Sequence, residues 1–233
     1  MRGRLTSRCG RVDNPLGSGF PSNREIAVTE LEFESLLALG HESNGVEFKG
    51  PGKRSDKAFL ALVIRAILGM ANRRDGGLVI LGVESKSLEP VGLSDDDAAL
   101  WLKYDELSEK VNVHASPNAQ FELEDLSFRG RRLVIVRVRE FSDVPILCAK
   151  DHGEKKGSPV LRRGACYVRA RHKPETSEIP SEEERRELLE LAIDKGVRKF
   201  VDRARMVGLL PSVQEFSRFT DESLFKEQLK DLE

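Results

Sequence analysis

The sequence predicts an α+β fold, with a mixed or antiparallel sheet packed with helices and a helical C-terminal tail. Helix-like and strand-like segments are mixed without a regular βαβ repeat, which is typical of this class. The hydrophobic content of 39% and the charged content of 33% indicate a globular protein with a densely charged surface. We divide the 233 residues into a flexible basic arm over 1–27, a main domain over 28–180 and C-terminal helices over 181–233.

The first half of the main domain is predicted to contain three helices and two strands. Apolar spacing of three and four residues alternates there with short strand-like runs. Thr29 and Glu32 have capping-box spacing, while Ser55 and Ser94 stand where the next two helices would begin. The predicted elements are a helix over about 30–39, a strand over 46–49, a helix over about 56–70, a buried strand over 78–83 and a helix from 95 to about 107.

The second half of the chain is predicted to be richer in strands and to end in helices. Ser181 and Glu184 have the spacing of a helix start, ahead of a long helix that reaches about Met206. Ser212 and Glu215 could begin a last helix. The predicted strands are Gln120–Leu126, Leu133–Arg139, Pro145–Ala149 and Cys166–Arg171.

Composition excludes several classes of protein. The net charge of −1 means that any binding of nucleic acid must depend on local basic patches. Three cysteines without CxxC spacing argue against a disulfide framework or a zinc knuckle, and they fit a reducing compartment. No stretch of about 18 apolar residues and no secretory signal is visible, so we expect a cytoplasmic protein without a membrane partner.

Three glutamates are predicted to form an acidic centre. Glu47 and Lys49 are two residues apart on a predicted strand and therefore point to one face. Glu42 lies at the preceding helix–strand junction, and Glu84 directly follows the buried strand. If the two strands are neighbours, the three carboxylates converge, and such oxygen ligands suit Mg²⁺ or Mn²⁺. We expect Glu42, Glu47 and Glu84 to be metal ligands and catalytic residues, with Lys49 steadying a phosphate.

Two other interpretations apply to this region. A Glu-x-Lys pair on a strand is more often a solvated face with a weak ion pair. Gly50–Ser55 resembles a phosphate-binding loop, but Glu47 stands at its first glycine position and Arg54 at its Ser/Thr position, so no nucleotide cofactor is expected. The loop could still present cations to a nucleic-acid backbone beside a helix N-terminus, namely Lys53, Arg54 and Lys57.

Charge is strongly polarised along the second half of the chain. Residues 129–173 contain 13 Lys/Arg and 4 Asp/Glu, whereas residues 175–194 contain 8 Asp/Glu and 2 Lys/Arg. The basic segment predicts a phosphate-binding surface, although a charged edge strand that resists aggregation is an equal alternative. Aromatic residues make up only 6%, which favours recognition of folded RNA over base stacking. The candidate contacts are Arg162, Arg163, Arg169, Arg171 and Lys173.

Five short motifs across roughly 130 residues resemble, in order, the Schlafen AlbA-type domain. The first is Glu42-Ser43-Asn44-Gly45-Val46-Glu47-Phe48-Lys49, which is similar to the opening motif of that family. The remaining four are Ala71-Asn72-Arg73-Arg74-Asp75-Gly76-Gly77, Leu81-Gly82-Val83-Glu84, Val91-Gly92-Leu93 and Gly164-Ala165-Cys166-Tyr167-Val168-Arg169.

The resemblance implies an α+β nucleic-acid-binding domain. In the RNA-cleaving members an acidic triad serves a divalent metal, and its positions match Glu42, Glu47 and Glu84, with Glu84 standing in place of an aspartate. We therefore expect a metal-dependent endoribonuclease acting on structured RNA such as transfer RNA, with DNA a less expected partner. Other members are known only as DNA- or ATP-binding regulators, so the alternative is a non-catalytic DNA- or RNA-binding regulator.

A homodimer is also expected from the resemblance. The RNA-cleaving members have two related lobes that close a groove, whereas this sequence holds one. A second copy could supply the missing wall. The apolar residues predicted to pack on the domain or on that copy are Leu188, Leu191, Phe216, Phe219 and Phe225.

Overall fold

The computed structural model describes residues 28–39, 44–155, 157–170 and 175–210, and it confirms the α+β class. The helices in these ranges are α1 (Glu30–Ala38), α2 (Lys57–Ala71), α3 (Asp95–Trp101), α4 (Tyr104–Asn112) and α5 (Glu182–Met206). The strands are β1 (Val46–Lys49), β2 (Gly77–Leu81), β3 (Ala115–Ser116), β4 (Phe121–Phe128), β5 (Arg131–Val138), β6 (Leu147–Cys148), β7 (His152–Lys155), β8 (Ser158–Leu161), β9 (Tyr167–Arg169) and β10 (Thr176–Glu178).

The central sheet has the strand order β1-β2-β5-β4. β1 and β2 are parallel, with Lys49 opposite Leu81, and the other two pairings are antiparallel. The predicted neighbourhood of the first two strands is therefore confirmed, and their carboxyl ends lie at the same edge of the sheet. Three two-stranded pairs accompany it: β9 with β10, β3 with β6, and β7 with β8.

Both faces of the central sheet are covered by apolar side chains. On one face Val79 and Leu81 join a large core with α2. On the other face Phe48 and Ile80 pack with Phe33 of α1. Because Glu47 alternates with Phe48 along β1, its side chain points into the α2 side of the sheet and not into solvent. This coverage decides the environment of the predicted acidic centre.

The helix starts follow local capping chemistry. The capping box of Thr29 and Glu32 is present at α1, and Ser94 and Ser181 cap α3 and α5 as predicted. At α2 the cap is Asp56 and not Ser55, because the Asp56 carboxylate accepts hydrogen bonds from the Ala58 and Phe59 backbone amides at 2.9 and 3.3 Å. The single helix predicted from 95 to about 107 is two helices, α3 and α4.

Four of the described strands, β3, β7, β8 and β10, were not predicted from the sequence. β7 reads His-Gly-Glu-Lys, and it lacks the apolar alternation on which strand prediction depends. β8 and β10 are only four and three residues long. The predicted helix after Ser212 lies outside the described residues, as does the end of the predicted strand at Arg171.

The first half of α5 packs on the main core through Leu188 and Leu191, which are 6% and 5% exposed. These two residues thus pack on the domain, which is one of the two arrangements predicted for them. Phe216, Phe219 and Phe225 lie beyond the described residues. None of the helices that the structure describes is long and apolar enough to cross a membrane.

Candidate functional site

Glu47 is buried in a network of hydrogen bonds that occupies both of its carboxylate oxygens. Its side chain is 3% exposed. Oε1 accepts a hydrogen bond from Lys49 Nζ at 2.5 Å, and Oε2 accepts one from the Arg169 guanidinium at 2.9 Å. The Thr176 hydroxyl also donates to Oε2. This set of donors holds the buried carboxylate in position.

The β9–β10 pair positions two of these donors. Arg169 and Thr176 are directly opposite each other in the antiparallel register. Arg169 also donates to the Val46 carbonyl oxygen at 2.7 Å, so it fastens this pair of strands to β1. Gly69 of α2 leaves room for Thr176, since a Cβ there would lie 2.4 Å from Thr176 Cγ2. The role of Thr176 was missed, and the glycine inside an otherwise apolar helix was the available signal.

Two of the predicted nucleic-acid contacts are buried. The Arg169 side chain is 0% exposed and binds Glu47. The Arg54 side chain is 7% exposed and forms an ion pair with Glu106 of α4. A guanidinium held by a buried carboxylate or by a neighbouring helix does not present its charge to a phosphate backbone. We therefore remove Arg54 and Arg169 from the docking set.

Glu84 lies in a different environment from Glu47. Gly82 has a φ of 97°, which interrupts the alternation of β2, and Val83 consequently packs in the same core as Ile80. The exposed Glu84 side chain then lies beside Gly50, directly after β1, where an added Cβ would be 2.6 Å from Glu84 Oε1. The predicted edge therefore carries an accessible carboxylate next to the end of the Glu47–Lys49 strand.

The described carboxylates do not form a metal site by themselves. Within residues 28–39, 44–155, 157–170 and 175–210, no group of three His, Cys, Asp or Glu side chains could hold a metal ion. Glu47 would have to exchange at least the Lys49 ammonium for a cation before it could act as a ligand. Glu42 lies outside the described residues, so the triad of Glu42, Glu47 and Glu84 stays a prediction.

A second polar surface surrounds His152, where β7 packs on the first turns of α2. Gly153 permits this contact, since an added Cβ would lie 2.5 Å from Ala61 Cβ. The His152 ring stacks on that of His114, with 4.6 Å between the ring centroids. The turn after β8 joins this surface because the Arg163 amide donates to Asp151 Oδ1 at 2.7 Å. We call this surface the cationic face, and we define it as Lys57, Lys110, Lys150, His152 and Arg163.

The pKa of His152 responds both to burial and to three nearby lysines. Burial is the main cause that lowers the pKa of His152, and the charges of Lys57, Lys150 and Lys110 lower it further. Burial likewise lowers the pKa of His114, against the opposing effect of a hydrogen bond with the Lys150 carbonyl oxygen. Lys57, Lys110 and Lys150 are all exposed. They come from three separated parts of the sequence. Lys110 and Lys150 were missed because their proximity arises only on folding.

Acidic residues also border this surface, but two of them have local partners. A cavity of 630 Å³ beside α2 is lined by Asp56, Asp151 and Glu154, together with Lys57 and His152. Asp56 caps α2. Asp151 accepts the Arg163 amide. Both carboxylates are thus engaged by backbone donors, although they keep their negative charge, and Lys57, Lys110 and Lys150 are exposed.

The other predicted contacts are dispersed. Lys53 is exposed close to α2. Arg162 is exposed but pairs with Glu178, with its Nε 3.1 Å from Glu178 Oε2. Arg171 and Lys173 lie outside the described residues. The structure therefore brings together Lys57 and Arg163 from the predicted set.

We expect the stacked pair of His114 and His152 to make the protein less stable in mild acid. Their pKa values are lowered on folding, so the unfolded chain takes up protons first as the pH falls through about 6.5. We expect the free energy of unfolding, measured in urea, to decline from about pH 7 to pH 5.5. A His114→Gln, His152→Gln variant should show a shallower decline. An equal slope in both proteins would show that these histidines do not contribute.

Comparisons with known proteins concern the sequence family and the fold. Residues 42–198 match the family described as Schlafen, AlbA_2. The DIP2311 protein from Corynebacterium diphtheriae is 17% identical, with a TM-score of 0.43 over 63% of this chain and 29% of that one. The N-terminal domain of a RecG-related protein from Nitrosomonas europaea is 21% identical, with a TM-score of 0.36 over 56% of this chain and 84% of that one.

The chain thus corresponds to less than a third of the C. diphtheriae protein. Among curated proteins, none matches it. The family match, by contrast, covers more than half of the chain. It runs from β1 through β10 and into α5. On this match over residues 42–198, the chain belongs to the Schlafen, AlbA_2 family.

Proposed function

We propose that this protein binds nucleic acid, and structured RNA in particular, through the cationic face. The observation that carries the proposal is the convergence of Lys57, Lys110 and Lys150 around His152, with Arg163 beside them. A chain with a net charge of −1 needs such a local concentration of cations to attract phosphates. Membership of the Schlafen, AlbA_2 family is consistent with a partner of this kind.

The aromatic side chains favour a folded partner over an extended single strand. Among the described residues, the large aromatics that are mainly exposed are Tyr104 and Phe200, and neither belongs to the cationic face. Base stacking on aromatic rings is the usual means of holding single strands. Contacts between lysines and the phosphate backbone instead suit a partner that is recognised by its shape.

Fluorescence anisotropy with three labelled probes of equal length tests this proposal. The probes are a folded RNA hairpin, a DNA duplex and an unstructured single strand. We expect the hairpin to bind most tightly at about 50 mM salt, and all affinities to fall as salt increases. Absence of binding by every probe at this salt concentration would refute the proposal.

A second candidate function is metal-dependent RNA cleavage at the β1–β2 edge. It is favoured by one observation, the exposed Glu84 carboxylate beside Gly50 at the end of the Glu47–Lys49 strand. In this candidate Glu42, Glu47 and Glu84 would hold Mg²⁺ or Mn²⁺, which supplies a nucleophilic water and stabilises charge on a phosphate. Lys49 would shift from Glu47 towards the phosphate, since one ammonium cannot neutralise both fully.

Glu84→Gln is the variant best suited to test cleavage, because it removes one charge from an exposed side chain and preserves its shape. Incubated with total RNA and Mn²⁺, the native chain should yield discrete fragments that EDTA suppresses, and Glu84→Gln should yield at least about 100-fold less. Glu89→Gln, in the same exposed loop, is the matched control. If Glu84→Gln cleaves as well as Glu89→Gln, the β1–β2 edge is not the catalytic site, while the binding proposal stands.

A further inference from the structure

Helix α5 carries an apolar stripe that the domain does not cover. The exposed fractions are 55% for Leu189, 63% for Ile193, 56% for Val197 and 68% for Phe200. At about 100° per residue, these side chains occupy a sector of roughly 80° on the helix. Leu188 and Leu191, which pack on the core, point in nearly the opposite direction. Single exposed apolar residues are ordinary, but a stripe with spacings of four, four and three is typical of a helix–helix contact.

The charges of α5 are divided between its two halves. From Glu182 to Asp194 the helix has six acidic and two basic residues. From Lys195 to Arg205 it has five basic residues and one acidic residue. If two copies of α5 packed side by side in a parallel arrangement, their acidic halves would lie together and repel each other, and so would their basic halves. In an antiparallel arrangement each acidic half faces a basic half.

Gly196 lies between the two halves, at the side of the stripe. A Cβ added there would meet no atom within 4 Å, so the fold of this chain does not require a glycine at this position. Glycine inside a helix lowers its stability relative to alanine. A residue without a side chain beside an exposed stripe allows a second helix to approach closely.

We propose that α5 is a dimerisation helix, which packs antiparallel on α5 of a second copy of this chain and crosses it near Gly196 and Val197. The pairing is isologous, so each contact occurs twice. The stripe residues form its apolar centre. Along one flank, Glu190 of each copy faces Arg205 of the other. The charge pattern of α5 favours a second copy of this chain as the partner. This inference does not depend on the proposed function.

Light scattering and sedimentation equilibrium of the full chain test the apolar part of the proposal. We expect a dimer at micromolar concentration. Phe200→Glu should weaken dimerisation by about 30-fold or more, because it places a charge at the centre of the contact. Leu31→Glu is the matched control, since Leu31 is 76% exposed on α1, away from the stripe. Its dimer affinity should equal that of the native chain.

Charge reversal tests the antiparallel orientation. One variant carries Glu190→Lys, and the other carries Arg205→Glu. Each variant alone should dimerise more weakly than the native chain, and an equimolar mixture should form a heterodimer more readily, because opposite charges then meet. Arg205 also pairs with Asp202 of the same helix, but both side chains are exposed and the pair contributes little to folding. Circular dichroism spectra that match the native spectrum would verify that both variants are folded.

Three results would overturn the proposal. A native chain that remains monomeric at tens of micromolar would show that a second copy does not cover the stripe, and would direct attention to residues 211–233 of the same chain. A mixture of the two charge variants that stays monomeric would exclude the antiparallel pairing. A dimer that persists in Phe200→Glu would place the interface elsewhere.

Discussion

Replacement of Glu47 by alanine is expected to lower the free energy of unfolding by about 3–5 kcal/mol. The change would leave the Arg169 guanidinium, which is 0% exposed, without the carboxylate that binds it. Thr176 would also lose the acceptor of its hydroxyl. Removing one partner of a buried ion pair is among the most destabilising local changes in a protein. Urea denaturation monitored by circular dichroism measures the effect.

The double variant Glu47→Leu, Arg169→Met separates the ion pair from simple loss of volume. Removing both charged partners eliminates the unpaired charge, so most of the stability should return, whereas Arg169→Met alone should be strongly destabilising. Glu84→Ala is the control, because this carboxylate is exposed and should change stability by no more than about 0.5 kcal/mol. A loss below about 1 kcal/mol in Glu47→Ala would contradict the buried network described above.

This network changes how a Glu47 variant should be interpreted. From the sequence, Glu47 was expected to be a catalytic metal ligand. In the structure Glu47 connects β1 to the β9–β10 pair, so a variant that loses activity could equally have lost this connection. Glu84 lacks that ambiguity because it is exposed. Cleavage is therefore better tested at Glu84 than at Glu47.

The sequence predicted the elements around the site better than their environment. Alternation in Val46–Lys49 and the apolar run after Gly77 were sufficient to predict two strands, and the structure confirms both and their adjacency. Alternation also predicted that Glu47 and Lys49 share a face. It could not show that this face is covered, because the covering residue, Arg169, comes 122 positions later in the chain. Burial here is a long-range property that local periodicity does not contain.

The basic segment in residues 129–173 shows that charge, like burial, depends on long-range contacts that the local sequence does not contain. Counting cations along the sequence grouped Arg162, Arg163 and Arg169, although folding gives them three different environments. Arg169 binds Glu47 inside the protein. Arg162 pairs with Glu178 at the surface. Of these three arginines, Arg163 belongs to the cationic face. The lysines of that face come from α2, α4 and the segment before β7.

Reversing three cations of the cationic face should nearly abolish nucleic-acid binding. Each phosphate contact that is lost lowers the slope of log affinity against log salt by roughly 0.7–0.9. Lys57→Glu, Lys150→Glu and Arg163→Glu together should therefore lower the slope by about 2–3 and weaken binding by roughly 100- to 1000-fold. All three side chains are exposed, so folding should be preserved. Anisotropy titrations of the RNA hairpin over about 50–200 mM salt measure both quantities.

The matched control has the same change of net charge on another surface, at Arg129, Arg131 and Arg139 of the β4–β5 region. Their replacement by glutamate should leave the salt slope nearly unchanged, because a charge more than a Debye length from the phosphates, about 10 Å at 0.1 M salt, is largely screened. The control variant will lose some affinity through the general loss of positive charge. If both triple variants lose equal affinity and equal slope, binding follows overall charge, and the cationic face is not the docking surface.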